Sequence, residues 1–332
     1  MQKGLSQEQL HFFAENGYLV VEDVIDKATI AAITAEYSEL LDQIGAEKVA
    51  SGELPATFND LSFNDKYLQL LHSESNFFDQ IDITLPLAND FPPDATMHAG
   101  TAVFSLLTHE KLLDLVEAVI GPEIYSNPVQ HVRIKPPRKA LPELAGKNSY
   151  VGTTTWHQDH GALLDEANST QVITTWVAIT DASEEMGCLI CIPGSHKRGE
   201  MTDHCPGNGI AAENYIPGKL LNTRKTVKLP IKKGGVILFH QLTEHAALNN
   251  KTKQIRWSFD LRWNPVGQPT GRPAFPGFVA RSQTNPASEL RDAAQWKQNW
   301  LDAKERIVSG RFSDQIFNAE RWEKNGSLEI CA

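Results

Sequence analysis

Thr155-Trp156-His157-Gln158-Asp159-His160-Gly161 places three metal-capable side chains within four positions. In an extended segment, side chains two apart share a face, so His157 and Asp159 point one way and His160 the other. A histidine and a carboxylate on one strand face are two thirds of a 2-His-1-carboxylate iron site, which occupies one side of an octahedron and leaves the other positions open. The third ligand must then come from far along the chain. A surface strand can carry such a pair by chance, so its weight depends on finding more strands and a distal histidine.

The flanking sequence supplies the strands. Runs at 128–135, 151–158, 172–179, 188–192, 226–229, 236–239 and 255–263 are short, apolar or β-branched, and bounded by Gly, Pro, Asn and Asp. With no helical pattern between them, they predict a double-sheet β structure or barrel rather than parallel α/β winding. Upstream, Ser6-Gln7-Glu8-Gln9 reads as a capping box opening a helix that stops at Asn16-Gly17. A strand at 18–21 follows. Helical spacing predicts helices over 27–42, from Ile30, Ile33, Tyr37, Leu40 and Leu41, and over 109–119, ending at Gly121-Pro122. Downstream, 286–307 returns to helical spacing, with Leu290, Trp296 and Trp300 as packing residues. The expected organisation is one domain over 1–332: mainly helical support in 1–125, a β core in 126–265, and a C-terminal extension with a helix in 266–332. Segments 50–100 and 200–221 show no clear period and are expected either as lids or binding loops over a substrate pocket or as disordered connections.

Composition narrows the function classes. The net charge of -10 argues against a nucleic-acid backbone as partner. No run approaches the roughly 20 apolar residues of a membrane span, and Met1-Gln2-Lys3 leads into a polar helix, so the expectation is a cytoplasmic protein without membrane contact. Cys188, Cys191, Cys205 and Cys331 are too sparse for a disulfide scaffold, and Cys188 and Cys191, on opposite sides of a strand, are expected as buried thiols rather than a redox or zinc pair. Oligomeric state is not legible.

The distal ligand has two candidates. Gly234-Gly235 launches an apolar strand ending in His240, and His245 lies five residues further on, followed eleven positions later by Arg256.

Four blocks in order then give the chain a resemblance to the phytanoyl-CoA dioxygenase family of iron(II) and 2-oxoglutarate-dependent oxygenases. They are the opening helix and strand over 5–24, Trp156-His157-Gln158-Asp159, the run from Gly187-Cys188-Leu189 to Pro193-Gly194-Ser195-His196, and His245 with Arg256. The resemblance implies a double-stranded β-helix (jelly roll, cupin-like) with helices outside. It implies His157, Asp159 and His245 as iron ligands, Arg256 as partner of the far carboxylate of 2-oxoglutarate, and Trp176 near that co-substrate. A planar guanidinium suits this task because it offers two parallel hydrogen bonds to a carboxylate. The family often has Ser or Thr two positions after the distal histidine, whereas this chain has Ala247. Thr154, Gln130 and Lys135 are candidates to replace that anchor. His131 and Arg133, two apart on one strand face, are candidates for substrate contact. His160 is expected as a hydrogen-bonded neighbour that a turn could bring to substrate, His196 as a residue ordering its loop, and Trp257 and Trp263 as packing.

The implied reaction consumes iron-bound dioxygen and 2-oxoglutarate, releases succinate and carbon dioxide, and removes hydrogen from an unactivated carbon of a small molecule. Hydroxylation is the default outcome, with desaturation or rearrangement as related ones and secondary metabolism as the expected setting. Halogenating relatives have Gly or Ala at the carboxylate position, so Asp159 argues for oxygenation. The alternatives are a metal-dependent isomerase or lyase that uses no 2-oxo acid, and a non-catalytic jelly-roll binding protein.

Overall fold

The computed structural model describes residues 4–73, 77–88, 90–140, 154–206, 214–312, 314–316 and 328–331. The first helix, α1 (Gln7–Asn16), is closed at its start by the expected box, Ser6 accepting from the Gln9 amide while the Gln9 side chain accepts from the Ser6 amide. It ends at Gly17, whose φ of 75° lies in the left-handed region and where a Cβ would collide with His196 and Thr243. The chain then enters β1 (Tyr18–Val21) and α2 (Lys27–Ala50), which runs past the predicted end at residue 42.

Segment 50–100 is not the lid expected from the sequence. It contains α3 (Phe63–His72) and α4 (Phe78–Ile81), which bury Tyr67, Leu70, Leu71, Phe78 and Ile81. The Tyr67 hydroxyl donates to the Ile134 carbonyl at 2.9 Å, tying α3 to the sheet. Phe63, Tyr67, Leu70 and Leu71 stand at helical spacing, so α3 was legible in the sequence, whereas the four residues of α4 are too few to show a period. Next come α5 (Thr101–Leu107) and α6 (Glu110–Ile120), the latter close to its predicted bounds.

The β region holds β2 (Ile124–Lys135), β3 (Ile173–Ala178), β4 (Leu189–Cys191), β5 (Val227–Leu229), β6 (Val236–His240), β7 (His245–Ala247), β8 (Arg256–Pro265) and β9 (Phe278–Arg281). They form a six-stranded sheet, β1-β6-β3-β8-β2-β9, and a three-stranded sheet, β5-β4-β7, with all strand pairs antiparallel. This is the expected double-sheet architecture with flanking helices. β7 and β9 were not predicted as strands. The predicted strand over 151–158 is not a strand where it is described: residues 151–153 lie outside the described residues, His157 makes only an isolated bridge, and a 3-10 turn starts at Asp159.

β8 sets the geometry of everything that follows. Its register with β3 is unbroken, although that with β2 shifts between Asn127 and His131, so Trp257, Phe259, Leu261 and Trp263 share one face and Arg256, Ser258, Asp260 and Arg262 the other. The first set joins Ile33, Tyr37, Leu113 and Trp296 in the large core between sheet and helices. The second faces the smaller sheet, alongside Trp176 and Ala178, which cluster with Cys188, Cys191 and Ala247. The last helix, α7 (Ala293–Val308), adds Trp296 and Trp300 to the helical side.

Cys188 and Cys191 are buried free thiols, as expected. Cys205 and Cys331 are not: they form a disulfide across 126 residues. Spacing alone carries no signal for such a long-range pair. Bonds of this kind are rare in a reducing cytoplasm, which weighs against the compartment expected from the sequence. Among the described residues no helix is long and apolar enough to cross a membrane.

Candidate metal centre and co-substrate pocket

His157 and His245 meet across a two-residue antiparallel bridge, each amide donating to the other's carbonyl at 3.0 Å. Their rings lie 4.2 Å apart between centroids, and His245 also stacks on Phe239. The turn at Asp159 brings its carboxylate beneath them: Oδ1 is 3.8 Å from His157 Nε2 and Oδ2 is 3.9 Å from His245 Nε2. Ligand atoms from the three residues all lie within 4.8 Å of one another, and this is the one group of three or more potential ligands among the described residues. His240, the rival for the distal position, is not in it.

Second-layer contacts aim the donors. Nδ1 of His157 sits 2.8 Å from the Thr155 carbonyl and Nδ1 of His245 sits 2.9 Å from the Thr243 carbonyl. A carbonyl only accepts, so each Nδ1 carries the proton and each Nε2 presents its lone pair to the centre. Asp159 is gripped on both oxygens, Oδ2 by the Thr174 hydroxyl at 2.7 Å and Oδ1 by Arg262, which also donates to the Val129 carbonyl. Burial alone would raise the Asp159 carboxyl. Arg262, the two histidines and Thr174 outweigh it and hold the group well below the usual carboxylate range. The donor set of two neutral imidazoles and an ionised carboxylate fits iron(II).

Sequence reasoning missed Arg262 and Thr174. The signal for Arg262 was its six-residue offset from Arg256 within one predicted strand, which puts both guanidiniums on one face. Gln158 is turned away from the centre: its amide group donates to the Leu242 carbonyl and accepts from the Thr202 amide, and its backbone N–H donates to His204.

Arg256 is 2 % exposed, with its guanidinium carbon 5.1 Å from the centroid of the Trp176 ring. Nε and Nη1 have no hydrogen-bond partner among the described residues. Burial pulls its pKa down to about 10, which leaves it charged at neutral pH. A buried cation with open donors costs several kcal/mol unless an anion meets it, and the planar fork fits a carboxylate.

The remaining candidates divide. Thr154 pairs through its carbonyl with the Ala247 amide at 3.1 Å. Gln130 departs from its expected direction, since its amide donates to the Ile83 carbonyl, and its alternation with His131 puts it with Val132 and Ile134 toward the helices. His131 and Arg133 share the inner face of β2, His131 Nδ1 at 2.8 Å from Asp82 and Arg133 Nε at 3.7 Å from Asp260. Lys135 is the cross-strand neighbour of Arg256. His160 donates its backbone N–H to Gln241 and lines a cavity of about 630 Å³ with His196, His240, Thr202 and Leu242. The triad is not among the residues that line that cavity. His196 orders its loop by contacting the Ala14 carbonyl at 3.0 Å.

The sequence profile of the family described as Phytanoyl-CoA dioxygenase matches residues 13–258. The chain belongs to that family. Mouse phytanoyl-CoA dioxygenase domain-containing protein 1 is 24 % identical over 301 residues, covering 82 % of this chain and 98 % of the relative. Bovine peroxisomal phytanoyl-CoA dioxygenase is 25 % identical over 321 residues, covering 96 % and 84 %. A solved structure of the non-heme monooxygenase ThoJ with nickel superposes with a TM-score of 0.52 at 16 % identity, covering 96 % of this chain and 99 % of that one, which supports the shared fold. As a member of the phytanoyl-CoA dioxygenase family the protein is a 2-oxoglutarate-dependent non-haem iron oxygenase, using iron(II), 2-oxoglutarate and dioxygen.

The site carries a pH signature. Burial, reinforced by His245, pulls His157 down to about 3, although 24 % of its side chain stays open to solvent. Burial, with His196 and His160, pulls His240 down to about 4. Unfolded histidine takes up its proton near pH 6.5 while these two stay neutral, so the unfolded state binds more protons as pH falls. Stability of the metal-free protein is therefore full above about pH 6.5 and lost progressively toward pH 4, by at most about 1.4 kcal/mol per pH unit for each residue. Thermal melts from pH 7 to 5 should fall, and His240→Gln should flatten the slope; an unchanged slope removes His240 from this account.

Proposed function

We propose that the protein hydroxylates an unactivated carbon of a small-molecule metabolite, or desaturates or rearranges it after the same hydrogen removal, while 2-oxoglutarate is converted to succinate and carbon dioxide. The observation that carries this reading is the pairing, inside one pair of sheets, of the His157-Asp159-His245 group with the buried, open-donor guanidinium of Arg256. Iron(II), held by those three residues, supplies the activation of dioxygen.

The residues have separable parts in this reading. Thr155 and Thr243 point the two imidazoles, and Arg262 and Thr174 set the angle of Asp159. Arg256 takes the far carboxylate of 2-oxoglutarate and so fixes which end of it reaches the metal, with Trp176 as the wall beneath. Thr154 and Lys135 border that region through Ala247 and Arg256. His131 and Arg133 face the interior from β2 and are assigned to substrate; His160 lines the neighbouring cavity and is not. Retention of Asp159 supports oxygenation over halogenation.

Anaerobic titration tests this directly. Iron(II) and 2-oxoglutarate should together give a weak visible charge-transfer band in the wild-type protein. Arg256→Ala should need roughly 10- to 100-fold more 2-oxoglutarate, the worth of hydrogen bonds to a charged group. No band in the wild type, with unchanged behaviour of the variant, would sink the reading. Succinate release against a small-molecule panel then identifies the substrate.

A further inference from the structure

The turn that carries Asp159 is closed by a segment lying beyond the residues that match the family profile. Asp159 opens a 3-10 turn, Asp159–Ala162, and the carbonyls at the end of such a turn have no partner within it. The Ala162 carbonyl accepts from Nη2 of Arg272, and Nη1 of the same guanidinium donates to the Ile316 carbonyl at 2.9 Å. Arg272 is 1 % exposed, and its Nε has no partner among the described residues. Burial, with Arg262 adding to it, pulls its pKa down to about 9, which leaves it charged at neutral pH. A cation buried this deeply is costly even when carbonyls accept from it, so its place calls for more than filling space.

The neighbouring contacts converge on the same stretch of chain. The Gly271 carbonyl accepts from the Leu164 amide at 3.0 Å, and Gly271 itself has a left-handed φ of 70° at a point where a Cβ would come within 2.7 Å of the Leu163 Cβ. Farther along, the Pro269 carbonyl accepts from the Thr170 hydroxyl at 2.8 Å. Asn127 on β2 anchors the segment to the sheet, its side-chain amide donating to the Thr270 carbonyl at 2.9 Å and to the Asn264 side chain on β8 at 3.0 Å. The larger sheet therefore holds this segment, and the segment holds the chain that leaves Asp159. Arg262 and Thr174 act on the oxygens of Asp159, whereas Arg272 acts on the backbone from which that side chain springs.

We propose that Arg272 is a positioning residue for the metal centre: by holding the Ala162 carbonyl it fixes the turn from which the Asp159 carboxylate reaches the metal. The inference rests on the reading in which Asp159 is a metal ligand. It extends the machinery of the site past the family-matched residues into the C-terminal extension.

Cobalt(II) is the probe, because its absorption bands follow the geometry of its ligands and need no turnover. Arg272→Met keeps much of the stem and removes the donors. It should weaken cobalt(II) binding roughly 10- to 100-fold, the usual cost of losing an outer partner of a metal site, and shift the bands at saturating metal. Thr170→Val removes a contact of the same segment away from the turn. It should lower the melting temperature with cobalt(II) affinity within about twofold of the wild type and the bands unmoved. A lowered melting temperature in Arg272→Met with wild-type affinity and bands would make Arg272 a structural prop and overturn the inference. Equal losses of affinity in Arg272→Met and Thr170→Val would overturn it too, since any loosening of the segment would then suffice. If Arg272→Met does not fold, Gly271→Ala takes its place: the added methyl must push Leu163, so affinity should fall and the bands shift, and wild-type values of both overturn the inference. Wild-type protein that binds no cobalt(II), or Asp159→Ala that binds it as the wild type does, sinks the reading of the metal centre instead.

Discussion

Asp159→Gly should reduce succinate formation by more than the roughly 10- to 100-fold that loss of an outer partner costs a metal site, because a ligand itself is gone. The same substitution leaves something behind. Arg262 and the Thr174 hydroxyl, which grip the two oxygens of Asp159, become a cation and a donor facing an empty volume the size of a carboxylate. Small monoanions should enter it. Formate, which restores the missing group, should recover part of the 2-oxoglutarate turnover, and chloride should bind without recovering it. Succinate yields across an anion series, with product mass in chloride, measure both effects. A wild-type rate in Asp159→Gly would remove Asp159 from the triad. Indifference to every anion would show that the cradle collapses without its carboxylate.

Arg262→Leu is the second large effect, and its sign on metal affinity is the informative part. Removing one partner of a buried ion pair costs about 3–5 kcal/mol, because the charge left behind has no compensation. The metal-free variant should melt well below the wild type. A divalent ion, however, supplies the cation that Asp159 has lost, so saturating cobalt(II) should narrow the gap. By mass action this requires the variant to bind the ion more tightly than the wild type does, in which the guanidinium competes for the same carboxylate. Melting curves with and without cobalt(II), together with a direct titration, decide the matter. A gap that metal leaves untouched would mean that Arg262 serves only to prop β2 through the Val129 carbonyl.

Much of this architecture was legible in the residues. Six of the seven strand runs fall on observed strands, because each is an apolar or β-branched run closed by turn residues, and the capping box at Ser6 fixed the first helix. The near half of the metal centre was legible because His157 and Asp159 are two apart. What brings them together is different from the expected extended strand: a backbone bridge to His245 and a tight turn at Asp159. The contacts that orient Asp159 come from positions 15 and 103 residues away, and such proximity is a property of strand register, invisible to local pattern. Within segment 50–100, α3 shows a readable helical spacing through Phe63, Tyr67, Leu70 and Leu71, while α4, with four residues, is too short to display a period. Gln130 shows the hazard of placing a side chain without its register, since one step along β2 exchanges the cavity for the helical core.

β8 has two audiences. On one side its tryptophans and Phe259 are the adhesive between sheet and helices, and on the other Arg262 holds Asp159 while Arg256 has donors left unpaired among the described residues. Catalytic competence is thus not a module laid on a finished scaffold. The same strand whose apolar face closes the hydrophobic core carries Arg256 and Arg262 on its other face, so a substitution that loosens the docking of that core also displaces the groups around the metal centre.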